Sequence, residues 1–274
     1  MAIITTEELN QFLTTSVLGK YVITVDELPS TNALLKECCD QLGEGALICC
    51  DRQTAGRGRC AHAWHSPAGV NLYFSVLLTP PRSFAPRIPQ LAMLAALALF
   101  QALKKVAPEM PLALKWPNDL WSGTRKLSGI LCEGAAPCEK HQGKFPVVMG
   151  VGINVNSTIG DFPAELQETA GSLAICNPGM TFNRAQVLGY FLNALEEYYN
   201  RWLASKDFTE FADEWRKYDL LDGKNIIVQL PNKTLTGVVC GISPAGLLLL
   251  KRDDTKVVQP IYAGDVHIKR ESIL

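Results

Sequence analysis

The sequence predicts an α+β chain, with a mixed sheet flanked by helices over residues 1–219 and a small all-β unit over 220–274. Three observations lead there. Apolar and β-branched runs at residues 21–28, 46–50 and 71–78 are interleaved with helical stretches, as in layered folds built on one sheet. Residues 184–205 and 208–218 carry Tyr190, Phe191, Tyr198, Tyr199, Trp202, Phe211 and Trp215 at helical spacing, which predicts two helices packed through aromatic core residues. After Leu221 the pattern turns to short strands, 225–230, 235–242, 246–252, 257–261 and 266–270, separated by glycine turns, which predicts a small β-barrel.

Composition narrows the function classes. A chain of 274 residues supports one large core and an appendage. Its formal charge of -1 gives no broad pull toward nucleic acid or anionic lipid, so basic chemistry must be local. Nine cysteines is an odd number, no C-x-x-C pair occurs, and the amino terminus lacks the basic and apolar regions of a signal peptide. Reduced thiols in a cytoplasmic setting follow. His62 and His65 suggest a metal, but no second Cys or His pair completes a site. The longest apolar run, 91–100, is shorter than the roughly 20 residues a membrane span needs and reads as a buried helix.

Element by element, Thr5 and Glu8 have capping-box spacing, which predicts a helix to about Leu18, stopped by Gly19. So short a leader is too small for a helix-turn-helix domain, and no DNA-binding role is expected. The strand at 21–28 ends at Pro29, and Ser30, Thr31 and Asn32 offer N-cap side chains to the helix that follows. Pro89 opens a helix to about Val106 that is apolar nearly all round and therefore sandwiched. A short strand at 112–115 leads into Trp116, Pro117, Asn118 and Asp119, read as a turn that places Lys115 and Asp119 at a strand exit. Residues 126–134 and 147–156 read as paired strands joined by a polar loop. In the second, Gly150 and Gly152 mark either a close approach to a ligand or backbone, or a bulge. Residues 157–178 are loop-rich, and no role is assigned to them.

The arginine-rich stretch after residue 50 is the strongest functional signal. Gly56 and Gly58 alternate with Arg57 and Arg59 where a buried strand emerges, so flexible backbone carries two permanent charges suited to an anion. Residues 56–61 formally fit the dinucleotide fingerprint G-x-G-x-x-G/A. That reading fails, because Pro67 and Gly69 stop any helix and no carboxylate stands near residue 81.

The loop resembles the Gly-Arg-Gly-Arg loop of the biotin protein ligases. Further matches follow in that family's order: Ser30-Thr31-Asn32, Lys115-Trp116-Pro117-Asn118-Asp119, the run from Lys126 to Leu131, and the run from Gly150 to Asn156. The resemblance implies a class II aminoacyl-tRNA synthetase-like (biotin synthetase) catalytic domain with a carboxyl-terminal SH3-like β-barrel. It implies ATP-dependent formation of biotinyl-adenylate, then transfer to a lysine of a biotin carboxyl carrier domain. It places Ser30, Thr31, Asn32, Gln53, Gly56, Arg57, Gly58, Arg59, Lys126 and Gly129 around biotin. Arg57, Arg59, Trp64, Lys115, Asn118 and Asn154 fall around ATP or the adenylate. Arg57, Arg59, Lys115, Asp119 and Lys126 become the catalytic group, with Mg2+ arriving on ATP near Asp119 and no dedicated metal site. Where the repressor-type ligases continue the loop with basic residues, this chain has Cys60, Ala61, His62 and Ala63. The loop's glycines predict that residues 56–63 are mobile when empty and order over the adenylate. A lipoate ligase and a biotin sensor without turnover stand as alternatives, and a homodimer through the sheet is left open.

Overall fold

The computed structural model describes residues 4–205 and 207–268. In chain order the larger part contains α1 (Thr6–Asn10), β1 (Val22–Leu28), α2 (Thr31–Glu37), β2 (Leu47–Gln53), β3 (Leu72–Leu78), α3 (Gln90–Val106), β4 (Leu112–Lys115), β5 (Asp119–Ser122), β6 (Arg125–Gly134), β7 (Val147–Ile153), α4 (Leu173–Cys176), α5 (Arg184–Ala204) and α6 (Thr209–Arg216). Its seven strands form one sheet in the order β1-β2-β3-β7-β6-β5-β4. Only β1 and β2 pair in parallel, so the sheet is mixed.

The two faces of this sheet do different work. One carries Leu47, Cys49, Phe74, Val76, Met149 and Val151 against α3 and α5, in the main core. Helix α3 is buried nearly all round because α5 covers it and Trp202 Nε1 donates 2.7 Å to the Oε1 of its first residue, Gln90. Tyr198, Tyr199, Trp202, Phe211 and Trp215 are core residues, as their spacing predicts. The other face packs Ile48, Cys50, Tyr73, Leu77 and Val148 against Leu35 of α2 in a smaller cluster. This cover extends from β1 to the start of β7, and the remainder of that face is open to a cavity.

Strands β8 (Asn225–Leu230), β9 (Lys233–Ile242), β10 (Leu248–Arg252), β11 (Val258–Ile261) and β12 (Asp265–Ile268) form an antiparallel sheet in the order β11-β10-β9-β8-β12. The predicted strand at 266–270 reaches Ile268, and its last two residues lie outside the described ones. The turn between β9 and β10 docks this sheet on the larger part. There Gln90 Nε2 donates to Ala245 O (3.1 Å), Trp116 Nε1 to Gly246 O (3.1 Å) and the Phe208 amide to Pro244 O (2.7 Å).

Two expectations are corrected and one open alternative is decided. The first helix keeps its Thr5–Glu8 capping box but ends at Asn10 rather than near Leu18. The amides of Ser16, Val17 and Leu18 instead donate to the Glu196 carboxylate on α5, and that of Thr14 to Asn193 Oδ1. Such tertiary acceptors outcompete a short helix. Asp119, read as the last residue of a turn, opens β5, a strand the sequence did not show, and the Trp116–Pro117 bond that precedes it is cis. Finally, β7 is unbulged, its register with β3 and β6 running without a shift. The irregularity lies in the β5–β6 pairing, where Leu120 faces Ser128 but Trp121 faces Lys126.

Candidate active site

A row of cross-strand partners runs across the open face: Lys115 on β4, Asp119 on β5, Gly129 on β6, Gly152 on β7 and Tyr73 on β3. Directly opposed residues share a face. With no side chain at two adjacent positions, the middle of this row is a furrow. A Cβ on Gly152 would lie 2.3 Å from Trp64 Nε1, and one on Gly129 would lie 3.0 Å from Trp64 Cζ3. The glycines therefore admit the indole. Gly150, in the neighbouring row, admits the Asn32 amide, since its Cβ would fall 2.1 Å from Asn32 Oδ1. Close approach, not a bulge, explains both strand glycines.

The bulge in β6 aims Lys126. Alternation along an unbroken strand would put Lys126 and Gly129 on opposite faces. The extra residue between Lys126 and Ser128 turns Lys126 onto the face of Asp119 and Gly129. Its Nζ lies 2.7 Å from Asp119 Oδ2 and 5.7 Å from the Trp64 ring. Asp119 Oδ1 is buried without a hydrogen-bond partner. Lys115 extends over the Trp121 ring, 4.9 Å from its centroid. Burial lowers the Lys115 ammonium's pKa. Asp119 opposes that shift, Lys126 adds to it, and Asp265 on β12 opposes it again.

The arginine loop closes over this row as a small hairpin. Trp64 N donates to Gly56 O (2.9 Å), Gly58 N to His62 O (2.7 Å), and Arg57 bridges Ala63. Gly56 allows the crossing, as a Cβ there would meet Trp64 O at 2.5 Å. The two arginines then diverge. Arg59 donates to Asn118 Oδ1 (3.0 Å) and to Gly264 O before β12 (3.3 Å). Arg57 turns toward α2 and pairs with Glu133 at 3.2 Å. Cys60 is exposed in left-handed backbone at φ 51°.

The far wall is neutral. Ser30 holds the N-cap position of α2 without a side-chain cap bond, so the capping reading of these residues fails. Thr31 N donates to Gln53 Oε1 (3.0 Å), and Gln53 Nε2 donates to Ser66 Oγ (3.2 Å). Buried Asn32 reaches Ser75 and Glu133.

These elements enclose a cavity of about 230 Å³. Ser30, Thr31, Asn32, Gln53, Arg57, Gly58, Arg59, Trp64, Lys115, Asn118, Asp119, Lys126, Gly129 and Asn154 all line it, so the sequence-predicted residues converge with the exception of Gly56, which acts through the backbone. Sequence reasoning missed Thr169 and Ala170, which flank Lys126 through Lys126 N to Thr169 O (2.7 Å), and also Gly264 and Asp265 of the second sheet. It also missed Glu133, whose only signal was one charge at the end of an apolar strand.

Comparisons with known proteins point to one family. The Biotin/lipoate A/B protein ligase family matches residues 22–154, and the Biotin protein ligase C terminal domain matches 223–269. The chain is 34% identical over 262 residues to the bifunctional ligase/repressor BirA of Bacillus subtilis, covering 95% of this chain and 78% of that one. It is 32% identical to the biotin–[acetyl-CoA-carboxylase] ligase of Paracoccus denitrificans, covering 84% of this chain and 94% of its relative. The biotin protein ligase of Aquifex aeolicus, solved in complex with biotin and ATP, superimposes with a TM-score of 0.77 at 31% identity, covering 92% of this chain and 99% of that one.

Proposed function

The chain belongs to the biotin protein ligase family, and from that premise we propose that it converts biotin and ATP to biotinyl-5′-AMP and then biotinylates one lysine of a carboxylase's carrier domain. The observation that carries the proposal is the pairing of a neutral hydrogen-bonding wall with a cationic floor in one cavity. A biotin carboxylate oxygen attacks the α-phosphorus of ATP, and pyrophosphate leaves with the electron pair of the broken P–O bond. Charge accumulates on the phosphoryl oxygens, where Arg57, Arg59, Lys115 and Lys126 offer fixed cations on rigid strands and a braced loop. The acceptor lysine's amine then attacks the acyl carbon, AMP departs with the electron pair of the broken acyl C–O bond, and the amine's proton passes to the Asp119 carboxylate.

In this scheme Asp119 holds Lys126 against the reacting oxygens, and its second oxygen is available to the incoming ammonium. Ser30, Thr31, Asn32 and Gln53 bind the ureido ring, while Trp64, Asn118 and Asn154 bind the nucleotide. Among the described residues no group of three or more His, Cys, Asp or Glu side chains could hold a metal ion. The partnerless Asp119 Oδ1 fits a Mg2+ carried by the triphosphate, and the ion would neutralise the leaving pyrophosphate. We further propose residues 1–219 as the catalytic unit and 220–274 as a carboxyl-terminal unit that completes the cavity through Gly264 and Asp265. No helix of the described residues is long and apolar enough to cross a membrane.

Intact-mass measurement of a carrier domain incubated with the protein, Mg-ATP and either biotin or lipoate tests the reading. One biotinyl adduct, lost without ATP, is the expected result. A lipoyl adduct instead would transfer the site to lipoate, and tight biotin binding without any adduct would make it a sensor. Hydrogen exchange tests loop closure: amides of residues 56–63 are expected to slow when biotin and ATP are added together. Unchanged exchange would count against an ordering loop.

A further inference from the structure

Behind the neutral wall lies a chain of hydrogen bonds with only one consistent direction. It starts at Glu133, which lies behind the cavity wall at the end of β6. The Glu133 carboxylate receives Asn32 Nδ2 at 2.8 Å, Lys36 Nζ at 3.3 Å and Arg57 Nη2 at 3.2 Å. An ionised carboxylate only accepts. Burial raises this carboxyl's pKa, but the Asn32 hydrogen bond and the charges of Arg57 and Lys36 outweigh it and hold the group below its ordinary value.

With its donor nitrogen committed to Glu133 and to Leu131 O (3.3 Å), the Asn32 amide must present Oδ1 to Ser75. Ser75 Oγ lies 2.6 Å from Asn32 Oδ1 and 2.7 Å from Thr31 Oγ1, in a fully buried position. The amide oxygen has no proton to give, so Ser75 spends its single proton there. The contact between Ser75 and Thr31 then needs the Thr31 proton. Thr31 Oγ1 also lies 3.3 Å from Gln53 Oε1, but the hydroxyl has a single proton and the 2.7 Å contact with Ser75 claims it. Thr31 Oγ1 therefore faces the cavity with lone pairs alone.

We infer that Glu133, acting through Asn32 and Ser75, fixes Thr31 as an obligatory acceptor, and so makes a ligand N–H at that position a condition of binding. Glu133 is thus a positioning residue that determines specificity, with no direct contact to the ligand. The inference rests on the biotin reading above, in which the ring N–H of the ureido group meets Thr31. A ring oxygen in place of that N–H would set two acceptors against each other. Such unmatched buried polar pairs are heavily penalised.

The test is calorimetric binding of biotin, and of its two analogues with one ring N–H replaced by oxygen, to the full chain. Wild type should bind biotin and weaken by about tenfold or more for at least one analogue. Ser75→Ala frees the Thr31 proton, and the analogue penalty should shrink to within about threefold even as biotin itself weakens. Asn32→Asp sets two carboxylates against each other and should weaken biotin by on the order of 100-fold. Adding Glu133→Gln to Asn32→Asp supplies an amide donor from the opposite side and keeps the direction of the chain. The double variant should recover to within about tenfold of wild type, a rescue that simple loss of packing would not give. Thermal melts accompany each variant, and the analogue series on wild type needs no mutation. Equal binding of biotin and both analogues by wild type, an undiminished penalty in Ser75→Ala, or no rescue by the double variant would overturn the relay. Failure of wild type to bind biotin at all would instead overturn the biotin reading.

Discussion

The two ends of the cavity are built on opposite principles. At the β1–β2 end, Thr31, Asn32, Gln53 and Ser75 are neutral and hydrogen-bond one another or Glu133, tied at 2.6–3.0 Å. At the β4–β6 end, Lys115, Asp119, Lys126 and Arg59 are charged, and the pairing is incomplete. Asp119 keeps one buried oxygen without a partner, and Lys115 is held at an energetic cost of burial. A satisfied neutral network is rigid and selective. An under-compensated cluster gains most when a multiply charged anion arrives, which is where transition-state stabilisation is found. The split teaches that recognition and chemistry are separable here, and substitutions at each end can test that.

Lys126→Ala should separate them most. Removing the amine leaves Asp119 facing the cavity alone, and single-turnover formation of the adenylate should fall by on the order of 1,000-fold, about 4 kcal/mol. Biotin affinity should fall far less. Equal losses in both, by quenched-flow and calorimetry, would break the division between ends.

Arg57 sits between the two, on the loop but paired with Glu133. Arg57→Lys keeps charge and loses the planar fork, so adenylation should lose roughly 2 to 4 kcal/mol of transition-state stabilisation. Adenylation at the wild-type rate would remove Arg57 from the chemical end. The glycines come next. Gly152→Ala would push against the Trp64 indole and Gly150→Ala against the tethered Asn32 amide. Each should cost about 1–3 kcal/mol of stability by overpacking. Only Gly152→Ala should shift tryptophan fluorescence, and only Gly150→Ala should reduce the analogue discrimination set by Asn32. The same response from both would merge the two ends.

The division was only partly legible in the sequence. Residues such as Arg57, Arg59, Lys115 and Lys126 announced themselves as cations beside glycine and proline, and their convergence follows from strand exits gathering at one cavity. The long helices were equally clear, since α3 is an apolar run opened by Pro89 and α5 carries its aromatic residues at helical period. What could not be read was pairing across the chain. Strand β5 is four residues long and hides behind Pro117, so the bulge that turns Lys126 onto the site face had no visible partner strand. Glu133 looked like the polar end of a strand until α2 and the arginine loop were brought beside it. The early helix failed for the same reason in reverse: Glu196, far along the chain, claims the amides that local propensity would have kept helical.

The smallest expected effect concerns pH, and it isolates the charged end. Lys115 has a lowered pKa because burial penalises its charge, beyond what Asp119 and Asp265 return. In the unfolded chain the amine titrates at its ordinary, higher value. Between the folded pKa and that value the unfolded state binds more protons, so this group's contribution to stability rises with pH across the window. Catalysis must run the other way if the charged amine steadies the leaving pyrophosphate. The adenylation rate should decline as pH climbs through the folded pKa, even while the fold gains. Lys115→Arg carries a guanidinium that does not titrate in this range, so its profile should lose that alkaline limb. Biotin binding, which depends on neutral groups and Glu133, should stay flat over the same window in both proteins. An alkaline limb that persists in Lys115→Arg, or that appears equally in biotin binding, would mean that the titration belongs elsewhere and that the two ends share a charge.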